Sequence, residues 1–193
     1  MNYLKKSIKK HASLLVIIFG ALSFFLSNII NKEVFTPKEY GYYSVFITYL
    51  SVIYLFGILG LEQNLLRFSF KKNDIIETQK IQIKLFYFVS ITNALISSFL
   101  FLTFYSEVKS PFLLLLIASY CMIAQLFLSN LFRINANFVF SQIVANLWKI
   151  LLLLFSIIFF VFNIHNFETL TLLVLLSIIF SFIIAKFFTK KHI

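Results

Sequence analysis

Six apolar runs, each about as long as a bilayer is thick, set what this chain can fold into. A hydrocarbon core of about 30 Å takes roughly 20 helical residues at 1.5 Å each. Runs of that length lie at about 12–30, 42–61, 85–105, 111–131, 138–162 and 170–188. Lys149 alone puts a charge deep inside one of them. Of 193 residues, 61% are hydrophobic and 12% charged, and mean hydropathy is +0.95, far from the make-up of a water-soluble domain. With only 4 Gly and 2 Pro, the chain lacks the turn residues that a barrel of many short strands requires. The expectation is an all-α, polytopic membrane protein: one bundle of six transmembrane helices over residues 1–193. The first run is too long for a signal-peptide core and is followed by NKEVFTPKEYG, without a small-x-small cleavage site, so it is expected to stay as a helix.

Lys and Arg then orient the bundle, because cytoplasmic loops carry their excess. Thirteen cations fall on one side: Lys5, Lys6, Lys9, Lys10, Arg67, Lys71, Lys72, Lys80, Lys84, Arg133, Lys186, Lys190 and Lys191. Three fall on the other, Lys32, Lys38 and Lys109. Both termini and the 67–84 loop are therefore expected inside. The net charge of +10 is mostly topology, and anionic lipid headgroups, not nucleic acid, are its expected counterpart. Tyr40, Tyr42, Tyr43 and Tyr105 would sit at the outer interface, as amphipathic rings prefer.

Helical spacing sorts the few polar residues. On the fifth run Asn135, Gln142, Asn146, Lys149 and Ser156 lie within about 40° of Gln142 at 100° per residue. A lysine placed there costs a few kilocalories per mole on insertion scales and usually faces a bundle interior or an aqueous cavity; the alternative is that Lys149 snorkels to the cytoplasmic interface. Ser44, Thr48, Ser51 and Glu62 are expected to share a face of the second run. There Glu62 could pair with Lys149, Arg67 or Arg133, or simply with Arg67 at the helix end. Ser13, Gly20, Ser27 and Asn31 line the first run, Ser90, Asn93 and Ser97 the third, and Ser119, Ser129 and Arg133 the fourth. A single such line is as well explained by close helix packing. Five of them suggest a shared polar interior, with Lys149, Asn146, Gln142, Glu62, Arg67, Arg133, Asn31 and Asn93 as the candidate substrate pathway. The sixth run, with only Ser177 and Ser181, reads as lipid-facing or peripheral.

Catalysis finds no footing in these residues. There is no GxSxG, no P-loop, no pair of acids at a mouth and no His within a run. The lone Cys121 excludes an internal disulfide, and His11, His165 and His192 are too scattered for a metal site. No cofactor, metal ligand or catalytic residue is expected.

The stretch LSNIINKEVFTPKEYGYYSVFITYLSVIYLFGILGLEQNLLRFSFKK resembles the amino-terminal region of the polysaccharide biosynthesis or oligosaccharide flippase proteins, within the multidrug/oligosaccharidyl-lipid/polysaccharide exporter superfamily. The likeness lies in a first span with a polar end, the outer turn Glu39-Tyr40-Gly41, a second span finishing in Gly60-Leu61, and Arg67 at the cytoplasmic edge. LFRINANFVFSQIVANLWKILLLL is similar to that family's junction of fourth and fifth spans, where Arg133 closes one helix and an Asn-bearing start opens the next. The resemblance implies a carrier that moves polyprenyl-pyrophosphate-linked oligosaccharide across the bacterial inner membrane by alternating access between two six-helix lobes. This chain covers one such lobe. It would be a fragment or split product, or would pair with another six-span chain or with itself. Two other readings stand beside it: a six-helix substrate-binding subunit of an energy-coupling-factor importer, which needs a small-residue docking motif where only Gly20-Ala21 is found, and a non-transporting envelope interaction protein.

Overall fold

A computed structural model describes residues 2–61, 63, 75–105, 112–162 and 167–192. Among the described residues the chain is all-helical, with no strand. The six long helices are α1 (Asn2–Val34), α2 (Pro37–Phe56), α3 (Ile75–Phe104), α4 (Phe112–Ile134), α5 (Phe138–Val161) and α6 (Phe167–His192).

Four helical stretches are long and apolar enough to cross a membrane: His11–Val34 in α1, Lys84–Phe104 in α3, all of α4 and all of α5. α2 has the length, at 20 residues, but Tyr40, Tyr42, Tyr43, Tyr49 and Tyr54 dilute its apolarity. α6 offers a shorter apolar stretch, Val174–Phe188, among its described residues.

Local chemistry fixes the corners. Thr36-Pro37-Lys38-Glu39 is a capping box. The Glu39 amide donates to Thr36 Oγ1 at 3.4 Å, the Thr36 amide donates to Glu39 Oε2 at 3.0 Å, and Pro37 occupies the first helical turn, where its missing N–H costs nothing. Such a cap is worth about 1 kcal/mol. At the other end α2 stops at Gly57, followed by Leu59 at φ 52° and Gly60 at φ 77°, both left-handed. α4 closes in a Schellman motif: the Asn137 amide donates to Phe132 O at 2.9 Å and the Ala136 amide to Arg133 O at 3.0 Å, with Ala136 left-handed at φ 57°.

Cross-helix contacts show that the helices alternate in direction. Asn31 and Ser27 face Tyr43 across the α1–α2 corner. Tyr49 stacks on Phe101 with ring centroids 4.2 Å apart, and Asn93 reaches back to Gly57 O, so α2 and α3 run antiparallel. Phe86 stacks on Phe127 at 3.8 Å while Ser98 meets Ser119, which makes α3 and α4 antiparallel. Ser129 bonds Ser141 at 3.0 Å, while Gln125, one turn earlier on α4, meets Val144 O, one turn later on α5, so α4 and α5 are antiparallel as well. α6 then runs parallel to α4: Gln125 bonds Ser181, and farther along both helices Phe132 clusters with Ala185 and Phe188.

α4 is the hub. It packs against α2, α3, α5 and α6, and α1 leans mainly on α5. Within their apolar stretches, 56% of α4 is buried against 17% of α1. The outward side of α1 carries Leu14, Leu15, Phe19, Leu22, Phe25 and Ile29, all exposed, which suits contact with hydrocarbon.

Two expectations are corrected here. The sixth helix is not peripheral: Ser177 and Ser181 are fully buried, together with Val174, Leu175, Ile178 and Ala185. The reason is that one side of α6 packs on α4 and α5, where the single Ser181 proton is shared between Ile178 O at 2.8 Å and Gln125 Oε1 at 3.0 Å. The shared face of Ser44, Thr48, Ser51 and Glu62 also fails as an argument. It assumes one unbroken helix, and the turn through Gly57, Leu59 and Gly60 breaks the phase before residue 62.

Candidate functional site

The fifth helix gathers three of the candidate pathway residues. Lys149 lies half-buried near the middle of α5, and its Nζ donates to Asn146 Oδ1 at 3.0 Å. The same ammonium sits 5.9 Å from the centroid of the Trp148 ring, within cation–π reach. Asn146 Nδ2 donates in turn to Gln142 O at 2.9 Å. This leaves the Lys149 charge bound to neutral groups. Within a dry bundle such a charge attracts an anion far more strongly than it would in water.

What seats this group is Gly20 on α1. A Cβ at position 20 would fall 2.6 Å from Cβ, Cγ and Oδ1 of Asn146, closer than real side chains tolerate. Only glycine lets α1 come near enough to bury Asn146. Phe24, one turn on, meets Trp148 edge-on at 5.8 Å. The two contacts advance along both helices in the same sense, so α1 and α5 run parallel.

The other candidates are placed differently. Asn31 lies farther along the buried face of α1, fully buried, with neither amide atom hydrogen-bonded. Asn93 Nδ2 donates to Gly57 O at 2.7 Å, so its amide holds the broken end of α2 against α3. Arg133 is exposed at the end of α4, with Nη1 3.4 Å from Asn130 Oδ1, where a cation also favours the helix terminus. Neither Asn93 nor Arg133 joins the Lys149 group. Glu62 and Arg67 lie outside the described residues.

Several polar residues outside the expected pathway turn out to be central. Gln125 is fully buried and bonds both Val144 O on α5 and Ser181 on α6. Tyr49 Oη lies 3.1 Å from Ser119 Oγ and 3.4 Å from Ser98 Oγ, joining α2, α3 and α4 through three hydroxyls. Tyr43 and Trp148 are buried with their hydroxyl and indole N–H unpaired. An amide in the middle of an otherwise apolar run was the available signal for Gln125; Trp148 offered none beyond residue type, and Tyr43, expected as an interfacial ring, packs inward instead.

Among the described residues several grooves open on the surface, two of them beside the candidate residues' helices. One of about 510 Å³ lies between α2 and α3, lined by Ser44, Thr48, Tyr49, Ser97, Phe101 and Tyr105 among others. Its serine and threonine hydroxyls look polar, yet Ser44, Thr48 and Ser97 donate to carbonyls of their own helices. The other, about 440 Å³, is wholly apolar and runs between α1 and α5 past Leu15, Phe19, Leu22, Ile143 and Ile150. Among the described residues no three of His, Cys, Asp and Glu come together.

The class these observations define is an all-helical protein with four helices long and apolar enough to span a membrane. No family model, no curated protein and no solved structure matches the chain.

Proposed function

We propose that this chain is one six-span lobe of a carrier for an anionic, lipid-linked saccharide, of the polysaccharide or oligosaccharide flippase kind, in a bacterial inner membrane with both termini cytoplasmic. The observation that carries the reading is Lys149, a cation at the midpoint of a membrane-length helix, held by Asn146 and not by an acid in any described contact. Eleven residues separate it from the start of α5, about 17 Å of helix, more than a four-carbon stem spans by snorkelling. A mid-membrane charge of this kind is costly and is kept where it serves a pathway or a ligand. A pyrophosphate arriving beside it gains a charge-assisted hydrogen bond, and the Gln142 side chain, half-buried on the same face, can exchange hydrogen bonds with sugar hydroxyls.

The alternation of helix directions supports six crossings, α2 and α6 included. With the cation asymmetry of the loops it supports cytoplasmic ends. Lys149 is half-buried and lines neither groove, so on this reading a second six-span lobe, from another chain or a second copy, completes an enclosure around it. On this reading the chain moves its cargo without catalysing a covalent step.

The test is substitution in cells that export the saccharide. Lys149→Ala removes export, while the amount of protein in the membrane is unchanged. Export at the unsubstituted rate would end the proposal. A cysteine at Gln142 reacts with a small water-soluble thiol reagent, and one at exposed Phe160 on the same helix does not.

A further inference from the structure

The hollow between α2 and α3 continues farther than its upper part alone shows. A lower recess of about 230 Å³ shares Val52, Ile53, Ser97 and Leu100 with the groove of about 510 Å³ above it, so the two form one channel. From Tyr105 at its top to Asn93 at its bottom the chain advances twelve residues, about 18 Å of helix. The bottom lies at mid-depth in the bundle. Asn93 stands nine residues from the start and eleven from the end of the apolar stretch Lys84–Phe104. Gly57, whose carbonyl Asn93 holds, packs on Ile123, eleven residues from either end of α4. The groove therefore has the reach of one leaflet, since half of a hydrocarbon core is about 15 Å.

Its chemistry selects an occupant. Ser44, Thr48 and Ser97 spend their protons on carbonyls of their own helices, so these walls offer hydrocarbon and little to a polar ligand. A partner helix would run through both leaflets, whereas this groove stops halfway; a lipid chain meets both limits. Above the groove the same stripe of α2 continues upward from Val52, Thr48 and Val45 to Gly41 and Lys38, at spacings of three and four. A Cβ at Gly41 would meet nothing within 4 Å, so the stripe is bare there. Lys38 is exposed, with Nζ 5.7 Å from the centroid of the Tyr42 ring. The neighbouring Glu39 carboxylate is engaged by the Thr36 amide and hydroxyl. A cation in a first helical turn works against the helix dipole, so the helix supplies no reason for it, whereas a phosphate does. We propose that the α2–α3 groove holds one acyl chain of an anionic phospholipid from the leaflet at the α1–α2 corner, with its headgroup phosphate on Lys38. The proposal needs the chain to lie in a membrane but does not rest on the carrier reading.

Native mass spectrometry of the full chain released from detergent tests it, with phosphatidylglycerol or phosphatidylcholine of matching chains added. The unsubstituted protein retains one phosphatidylglycerol about fivefold more tightly, the worth of one lysine beside an anionic headgroup, because the choline cation of the other lipid already neutralises its phosphate. Lys38→Gln removes the preference. Ser97→Trp fills the groove and removes both adducts, while Ile91→Trp, on the exposed side of the same helix, changes neither. Equal affinity for the two lipids, or an adduct kept by Ser97→Trp, would overturn the proposal. Fluorescence gives a readout that does not depend on Ser97→Trp folding. In Trp148→Phe protein carrying Leu100→Trp, phosphatidylglycerol brominated in its chains quenches the new indole at a lower mole fraction than brominated phosphatidylcholine does, and equal quenching would refute the site. The adduct persists in Lys149→Ala, so a failure of export leaves it untouched. Its loss there would make the lipid a ligand of Lys149 and overturn the groove, and a protein of doubled mass without lipid would seat a second copy there and do the same.

Discussion

α4 and α1 both bury polar residues and treat them in opposite ways. On α4 the side chains are paired across helices: Gln125 with α5 and α6, Ser119 with Tyr49 and Ser98, Ser129 with Ser141. On α1 the buried face of Gly20, Ser23, Ser27 and Asn31 meets its neighbours with Ser23 Oγ and both Asn31 amide atoms unpaired, while its outer side is apolar. The difference separates two uses of polarity in a greasy bundle. Paired groups at the hub act as glue, worth about 0.6 and at most about 2 kcal/mol each. Small groups on the buried face of α1 serve close approach instead, as Gly20 against Asn146 shows.

The largest test of this contrast is Gly20→Leu. The side chain would collide with Asn146, and overpacking of this severity costs about 3 kcal/mol. We expect loss of a monodisperse peak in size-exclusion chromatography, or a thermal midpoint too low to measure. A well-behaved Gly20→Leu protein would mean that α1 does not press on α5. Next is Lys149→Leu. If Lys149 is a pathway residue and not glue, stability rises by about 2 kcal/mol as the mid-membrane charge disappears, although export is lost. A less stable protein would move Lys149 to the glue side. Gln125→Leu should cost about 1–2 kcal/mol by leaving its partners unpaired, and the double variant with Ser181→Ala should cost less than the sum of the two single changes. Full additivity would deny the hub bond. Smallest, and outside both regions, is Ala136→Gly, which relieves a left-handed alanine and should stabilise by about 1 kcal/mol, read as a thermal shift. No gain there would question the conformation of the α4–α5 turn.

Much of the fold was legible. Run length alone located all six helices, since apolar stretches of about 20 residues have few other fates. Their ends were not, because helix propensity continues past the hydrocarbon boundary: α1 begins at Asn2 and α3 at Ile75. The start of α2 was written in Thr36-Pro37-Lys38-Glu39, but a search for apolarity does not see a capping box. Phase arguments succeeded on α1, where Gly20, Ser27 and Asn31 do share the buried side, and failed on α2, where a turn intervenes before residue 62. Sorting α6 by its own two serines missed that burial is set by the neighbours a helix packs on, here α4 and α5. For the site, periodicity placed Gln142, Asn146 and Lys149 on one side of α5. It could not foresee that Asn93 would be used up on Gly57, because the carbonyl it holds is exposed only where α2 breaks.

The capped corner at Thr36 has a mechanical meaning for any carrier. Phe35 is buried there, Pro37 fixes one backbone angle, and Glu39 binds Thr36 through both amide and hydroxyl, so the elbow between the first two helices is stiff. A stiff elbow transmits bending and does not absorb it. In a carrier that rocks, as proposed above, α1 and the first part of α2 would swing as one lever, and the flexing would fall on the left-handed pair Leu59 and Gly60 at the lever's far end.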